Sequence, residues 1–541
     1  MTIYKSPLGV LKEPFYGNAA SYIIESPHIR RNLDKPVLVD AKDGTTLTGR
    51  DSIEYIKRIS WVLRTQYDIR TDDVVCLFLR NSVYVPVVHH GIMASGGVVS
   101  PANVAYMADE LAFQIRESRA KLVVASPDLR QVVDQAVKAD GIVAERVINL
   151  EELIDKADHA PGRDEQPLVL DEQTSKTKDA YYCFSSGTSG VPKGVMSSHH
   201  NVVSNSQQQL QSGFDFYDPK NVFGAVLPMS HIFGLSKFVF TVLHQASTAV
   251  VFEKFDLEFM LQSIIKHKIT HFHLVPPIIV LLAKSPVVEK YLNIADSLQA
   301  IMSGAAPLSD SLIEQAEKRI KAQIYQGYGL TETSPVSHFF AYDKKAYKKA
   351  SIGWLVAGQE ARIVDRETEK DVPFGQPGEL WLRGPNVMKG YLRNPTATNE
   401  VLTSDGWFKT GDITVIDNSG QFYVVDRAKE LIKSKGHQVA PAELEAHMLK
   451  HPHVSDCAVT GVYQHEEATE LPRAFVVLND KTADPLKIKE WFDSSVARHK
   501  RLWGGVVILD AVPKSPSGKI LRRHLRDRKN DKVHGYKPSK L

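Results

Sequence analysis

Between Val74 and Ser303, apolar runs of strand length recur, each followed by a stretch with helical spacing, and few folds accept that rhythm. The first runs are VVCLFL (74–79), GGVVS (96–100) and KLVVAS (121–126), with helix-like segments over 109–119 and from Leu129. The pattern resumes with VFGAVL (222–227), TAVVF (248–252), HFHLV (271–275) and LQAIMS (298–303). Strands joined by helices lie parallel, and a parallel sheet needs both faces covered. The expected fold class is therefore α/β, with two similar lobes in one large N-terminal domain. No short tandem repeat points to a solenoid.

The remaining texture adds smaller units. Polar and acidic residues over 151–178 read as a surface connection between the lobes. Beyond Ser351 come short β-like pieces with Gly and Pro punctuation, EARIVD, GELWLRG and QFYVV, which predict a small β-barrel-like subdomain. The chain turns charged over 426–435. A compact α+β unit follows, with helices expected in PAELEAHMLKH and IKEWFDSSVARHK and strands in DCAVTGV and RAFVVL. The expected division is a large domain over 1–427 and a small, mobile C-terminal domain over 428–541.

At 541 residues the chain is too long for one ordinary core, and a net charge of +3 with no basic stripe argues against nucleic-acid binding. Cys76, Cys183 and Cys457 are far apart in apolar surroundings, as expected of buried thiols and not of a disulfide framework or metal site. The opening MTIYKSPLGVLKEPFYG lacks the order of a secretory leader. The most apolar region, 83–104, is broken by Pro86, His89, His90, Gly96, Gly97 and Pro101, so no transmembrane segment is expected. The last three residues, Ser539, Lys540 and Leu541, spell a peroxisomal address, which predicts a peroxisomal import receptor as partner and the peroxisome as location.

The chemistry concentrates in YYCFSSGTSGVPKGV (181–195). An apolar strand feeds Ser185, Ser186, Gly187, Thr188, Ser189 and Gly190, then Lys193, and a helix-like segment starts at His199. Glycines let backbone N–H groups approach phosphate oxygens, hydroxyls add donors and the lysine adds a point charge. The start of the following helix is expected to favour the same anion. The spacing is not that of the common ATPase loop, since Pro192 stands five positions after Gly187 and Gly194 follows Lys193. Taken alone, such a turn reads equally as a solvated loop. SGAAPL (303–308), QGYGLTET (326–333) and TGD (410–412), with Asp426-Arg427 soon after, each have a bland reading too; their shared order is what chance does not explain.

SSGTSGVPKGV, QGYGLTET, DGWFKTGD, VDRAKELIKSKGHQVAPAELE and PKSPSGKILRR together resemble the adenylate-forming superfamily of acyl-CoA synthetases, firefly-type luciferases and peptide-synthetase adenylation domains, and within it most of all the 4-coumarate:CoA ligases and their fungal relatives. The resemblance covers nearly the whole chain. It implies ATP, Mg²⁺ and coenzyme A as cofactors, and a two-step reaction in which a carboxylate displaces pyrophosphate from ATP and a thiol then displaces AMP. By likeness, Ser185, Ser186, Gly187, Thr188 and Lys193 grip the β- and γ-phosphates. Gly304, Ala305, Gln326, Gly327 and Tyr328 belong to the adenine site, Thr331 meets the α-phosphate and Glu332 holds the metal. Asp412 and Arg427 take the ribose, and Lys519 bridges the acid carboxylate and the α-phosphate.

The same resemblance makes Lys429 the pivot of a domain rotation that turns Lys433, Lys435 and Gly436 towards the active site for thiol attack. It assigns the acyl pocket to His231, Phe233, Gly234, Lys237, His273, Pro335 and Val336, with His231 as a gate and Gly234 leaving room for the acid. Mostly apolar, such a pocket favours a small-molecule hydrophobic carboxylic acid, aryl-propenoic or medium-chain aliphatic. Whether Lys237 faces the pocket or the surface stays open at this stage. So do a luciferase-like oxidation and a nucleotide-binding scaffold without catalysis as alternatives to the ligase.

Overall fold

The computed structural model describes residues 2–140, 146–185, 192–213, 215–340, 343–427, 430–434, 437–464, 469–480, 482–515, 518–528 and 531–536. Two seven-stranded sheets make up the body. In the first, Val147–Asn149, Ala120–Ala125, Val74–Phe78, Val98–Pro101 and Asp179–Ser185 lie parallel, in that spatial order. Lys193–Ser198 and then Gly390–Tyr391 extend its edge antiparallel. In the second, Gln323–Gln326, Ala300–Ser303, His271–Leu274, Val222–Ala225, Thr248–Val251 and Pro36–Asp40 run parallel, with Thr46–Thr48 antiparallel beyond them. The alternation read from the sequence builds both sheets.

Burial explains the strength of that signal. All five residues of Val74–Phe78 are buried, as expected of a strand covered on two faces. The helix Val85–Ala94 is buried on every side, so the most apolar stretch of the chain is a core helix. Among the described residues no helix is long and apolar enough to cross a membrane.

Three local expectations are corrected, and one strand lies outside any of them. Pro36–Asp40 precedes the first lobe in sequence yet pairs with Thr248–Val251 in the second, a long-range pairing that local pattern cannot assign. The stretch over 151–178 is no plain connection, because the helix Leu150–Asp158 buries Leu153, Ile154 and Ala157. The helix expected through 488–500 is Pro485–Ser494; the Ser494 and Ser495 hydroxyls donate to the Trp491 carbonyl (2.7 Å) and the Phe492 carbonyl (2.8 Å), bonds that offer the backbone a non-helical exit. Finally, Lys193 opens a strand, and the helix His199–Ser212 begins only after it, capped by Ser198 through the Asn201 N–H. The phosphate loop therefore joins two antiparallel strands, and the helix start does not serve it.

The β-rich part is a five-stranded antiparallel sheet of Tyr4–Lys5, Glu360–Val364, Gly378–Arg383, Phe408–Ile416 and Phe422–Arg427. Its inner face buries Ile363, Leu380, Leu382, Ile416 and Phe422. From Ile432 the chain builds a separate core in which Leu444 and Met448 of the helix Pro441–Met448 meet Val459, Val476, Ile488 and Phe492. The long hairpin Val454–Gln464 with Thr469–Leu478 is its frame, and Val506–Ile508 adds a parallel strand.

Candidate active site

In sheets of this kind ligands gather beyond the carboxyl ends of the parallel strands. Ser185 ends one such strand, Ser303 another and Gln326 a third. The turn that follows Gln326 and Tyr328 meets Ser185 through Glu332.

The Thr331–Thr333 turn carries Glu332 and is clamped from the far side. Met388 N–H donates to the Glu332 carbonyl (2.9 Å), and Asn386 Nδ2 donates to the carbonyls of Thr333 (2.8 Å) and Val336 (3.0 Å). With its backbone held, the Glu332 carboxylate accepts from the Tyr391 hydroxyl (3.0 Å) and the Ser185 hydroxyl (3.3 Å). Lys193 Nζ lies 5.0 Å from the centre of the Tyr391 ring, a cation–π distance. Ser185, Lys193, Glu332 and Tyr391 thus form one polar cradle. Ser186, Gly187 and Thr188 lie outside the described residues, as do Lys429, Lys435, Gly436 and the terminal Ser539–Leu541.

Tyr391 carried no sequence cue, having neither charge nor motif spacing. Its place comes from strand pairing, in which Tyr391 sits opposite Val195 on the edge of the first sheet.

The residues expected at adenine and ribose also converge. Tyr328 donates its hydroxyl to Asp412 Oδ2 at 2.5 Å, and Asp412 is buried opposite Arg427 on paired strands. Thr410 explains the TGD pattern: its hydroxyl donates to the Leu380 carbonyl (2.7 Å) and accepts from Asp412 N–H (3.1 Å), fixing the irregular strand segment that aims the carboxylate. Ala305 has φ 75°, a left-handed backbone that costs a non-glycine residue energy and often marks a site. Gln326 departs from its expected contact with nucleotide. Its amide accepts from Leu308 N–H (2.8 Å) and donates to the Lys349 carbonyl (2.7 Å), so it shapes the 304–308 loop from behind. Gly327 is close-packed, since a Cβ there would lie 2.2 Å from Met302 Cε.

Lys519 reaches this region from the C-terminal unit. Its turn is closed by Ser515 N–H donating to the Lys519 carbonyl (2.8 Å) and Gly518 N–H donating to the Ser515 carbonyl (2.8 Å). Gly518 has φ +79°, and a Cβ on it would meet Pro277 Cδ at 3.0 Å and Val275 Cβ at 3.2 Å, just beyond the strand His271–Leu274. The turn is therefore seated on the large domain. His231 senses the result: burial, then the Lys519 cation, push its imidazole down to about 4. His231 Nδ1 accepts from Phe233 N–H (3.2 Å) as it caps a short helix, which leaves Nε2 carrying the proton. Lys433, by contrast, is exposed on Ile432–Ser434, its backbone N–H donating to Glu470 Oε2 (2.7 Å), and is not part of the cradle.

Among the pocket residues, Phe233 is buried against Gly304, where an added Cβ would lie 3.1 Å from the ring. Val336 is buried, bonded through its backbone to Asn205 (N–H to Oδ1 3.1 Å, carbonyl from Nδ2 2.7 Å), and Pro335 is buried beside it. Gly234 is a correction. A Cβ there would lie 2.3 Å from the Pro228 carbonyl oxygen, so the missing side chain makes room for backbone and not for an acid. Lys237 faces the interior and is wholly buried.

The description AMP-binding enzyme matches residues 27–392, and AMP-binding enzyme C-terminal domain matches 443–519. The chain is 35% identical over 532 residues to a probable 4-coumarate–CoA ligase 1 of Dictyostelium discoideum, covering 92% of this chain and 93% of that one. It is 36% identical over 500 residues to the peroxisomal OPC-8:0-CoA ligase 1 of Arabidopsis thaliana, covering 90% and 89%. The crystal structure of ATP-bound MatB from Rhodopseudomonas palustris superposes with a TM-score of 0.83 at 27% identity, over 94% of this chain and 98% of that one. With both halves matched and the cradle assembled, the chain belongs to the AMP-binding enzyme family, within the adenylate-forming superfamily of acyl-CoA ligases.

Proposed function

We propose that this AMP-forming acid:CoA ligase activates a carboxylic acid with a hydrophobic body, aryl-propenoic or medium-chain aliphatic, with Lys519 driving the first step. The observation that carries the reading is the seat of the Lys519 turn on Val275 and Pro277, close enough to His231 for its charge to add to burial in lowering the imidazole.

In the first step an acid oxygen forms a bond to the α-phosphorus of ATP, and the bond to the pyrophosphate oxygen breaks. Lys519 neutralises charge on both reacting groups and Thr331 bonds the α-phosphate, so their interactions grow as the transition state forms. Lys193, Ser185 and the 186–188 segment hold the departing pyrophosphate. Tyr328, Gly304 and Ala305 hold the base, while Asp412 and Arg427 hold the ribose hydroxyls. In the second step the thiol sulfur of CoA bonds the acyl carbon and AMP leaves with both electrons of the anhydride bond. For that step the small domain turns about Lys429 and presents Lys433, Lys435 and Gly436.

Glu332 suits Mg²⁺. It is a single carboxylate flanked by hydroxyl oxygens, and among the described residues no group of three or more His, Cys, Asp or Glu side chains is arranged to hold a metal ion. Mg²⁺ commonly takes one or two carboxylates and completes its shell with water and phosphate oxygens. When bound, it supplies positive charge against the repulsion between triphosphate and carboxylate. Peroxisomal import through Ser539–Leu541 is supported by the terminal signal and by the name of one relative.

Purified protein given ATP, Mg²⁺, CoA and a panel of acids tests this, with pyrophosphate, AMP and acyl-CoA measured separately. The expected products are AMP, pyrophosphate and thioester in equal amounts. ADP in place of AMP overturns the reading.

A further inference from the structure

The helical segment after His231 contains a polar end that the ligase reaction does not use. Leu235–Thr241 is a π-helix, a form that recurs at functional sites, and Lys237 lies on it with no exposed surface. Its ammonium donates to Gln209 Oε1 and to the Tyr217 hydroxyl (3.2 Å), leaving a third donor. Among the described residues no carboxylate lies within ion-pair distance of Lys237, although buried lysines normally require one. Beside it, His273 is also fully buried, and neither of its ring nitrogens has a hydrogen-bond partner. An orphaned buried polar atom costs about 1–3 kcal/mol, and His273 leaves two of them next to the buried lysine.

Phe233 connects this end to the chemistry. Its ring centre is 5.8 Å from Lys237 Nζ and 6.0 Å from the His273 ring, while its outer edge meets Gly304. His231, Phe233 and Lys237 follow one another along one short helical segment. An acid whose carboxyl meets His231 and Lys519 and whose body follows the Phe233 ring would end at Lys237 and His273. The walls between are apolar: Phe233, Phe339 and Tyr217 surround the ammonium at 5.6–5.9 Å.

We infer that Lys237 and His273 form the specificity end of the acyl pocket, so that the preferred acid carries a second, distal carboxylate on an apolar body. This rests on the proposed assignment of that pocket to the acid. A distal carboxylate supplies the counter-ion Lys237 lacks and bonds the unpartnered His273. Burial drives the Lys237 amine well below the ordinary lysine range, and a carboxylate beside it favours the protonated form. A site built around buried polar groups rejects the analogue that leaves them unpaired far more strongly than an apolar pocket rejects a methylene.

The test pairs octanedioate with octanoate, and 4-carboxycinnamate with cinnamate and 4-hydroxycinnamate. Calorimetry reads binding, and ATP-dependent pyrophosphate release reads kcat/KM. Wild type is expected to favour each diacid over its unsubstituted partner by about a hundredfold, and Lys237→Met, near in volume, to bring that ratio of kcat/KM values close to one. His273→Phe should lower the same ratio. A wild-type preference for the monoacids, a preference for 4-hydroxycinnamate over 4-carboxycinnamate, or equal loss of all acids in Lys237→Met with an unfolding midpoint unchanged, overturns the inference. Selective diacid binding without AMP formation upholds it and removes the ligase reading alone.

Discussion

Lys519 and Tyr328 show what single residues contribute. Lys519 reaches from the small domain towards His231, where its charge adds to the effect of burial. Lys519→Ala is expected to lower acid-dependent pyrophosphate formation by about 10²–10³-fold, the usual size of a lost electrostatic contact to developing charge. Conversion of supplied acyl-adenylate to thioester should stay within a few-fold; an equal fall in both half-reactions refutes the division of labour. Tyr328→Phe removes the 2.5 Å bond to Asp412 and keeps the ring. Losing a hydrogen bond to a charged group costs about 1.5 kcal/mol or more, so KM for ATP should rise roughly tenfold with kcat nearly unchanged. Most of these side chains were legible because each stands in a motif with a chemical reason for its residue types. Tyr391, Gln209 and Tyr217 were not, since nothing about an isolated Tyr or Gln reveals which buried charge it will face.

At the scale of elements, two positions separate packing from chemistry. Gly234 looks like a pocket residue from sequence, yet it permits the Pro228 carbonyl to approach the start of the helix. Gly234→Ala should therefore cost about 1–3 kcal/mol, read as a lower denaturant midpoint, and leave the order of preferred acids unchanged. In the small domain, Arg522 joins Glu430 (2.7 Å) and the buried Glu445 (2.6 Å), and Glu445 also accepts from Val459 N–H (2.7 Å). The contact ties the beginning of the domain to its helix and to its long hairpin. Arg522→Met strands a buried carboxylate, which costs about 3–5 kcal/mol, whereas the double change with Glu445→Leu should recover much of that loss. Limited proteolysis with thermal unfolding distinguishes the two, because an uncoupled pair would show additive losses.

Across the whole molecule, strand and helix periodicity revealed both sheets and the antiparallel subdomain, but not that Pro36–Asp40 belongs to the second sheet, because parallel partners are chosen by long-range packing. Nor does periodicity reveal how many histidines the packed body encloses. His89, His199, His244 and His338 are held down to about 3 by burial, and His90 and His271 to about 4. Neutral forms fit their bonds, as when Ala19 N–H donates to His199 Nδ1 at 3.1 Å. Folded values below the unfolded 6.5 mean that the unfolded chain binds more protons between the two, so the stability is complete above pH 6.5 and falls as pH drops towards 4. By pH 5.5 each such histidine costs about 1 kcal/mol, and together they approach the net stability of a typical domain. Urea midpoints measured from pH 7.5 to 5.5 should therefore fall steeply, with a flat curve refuting the argument. His338→Gln should flatten the slope by about one proton.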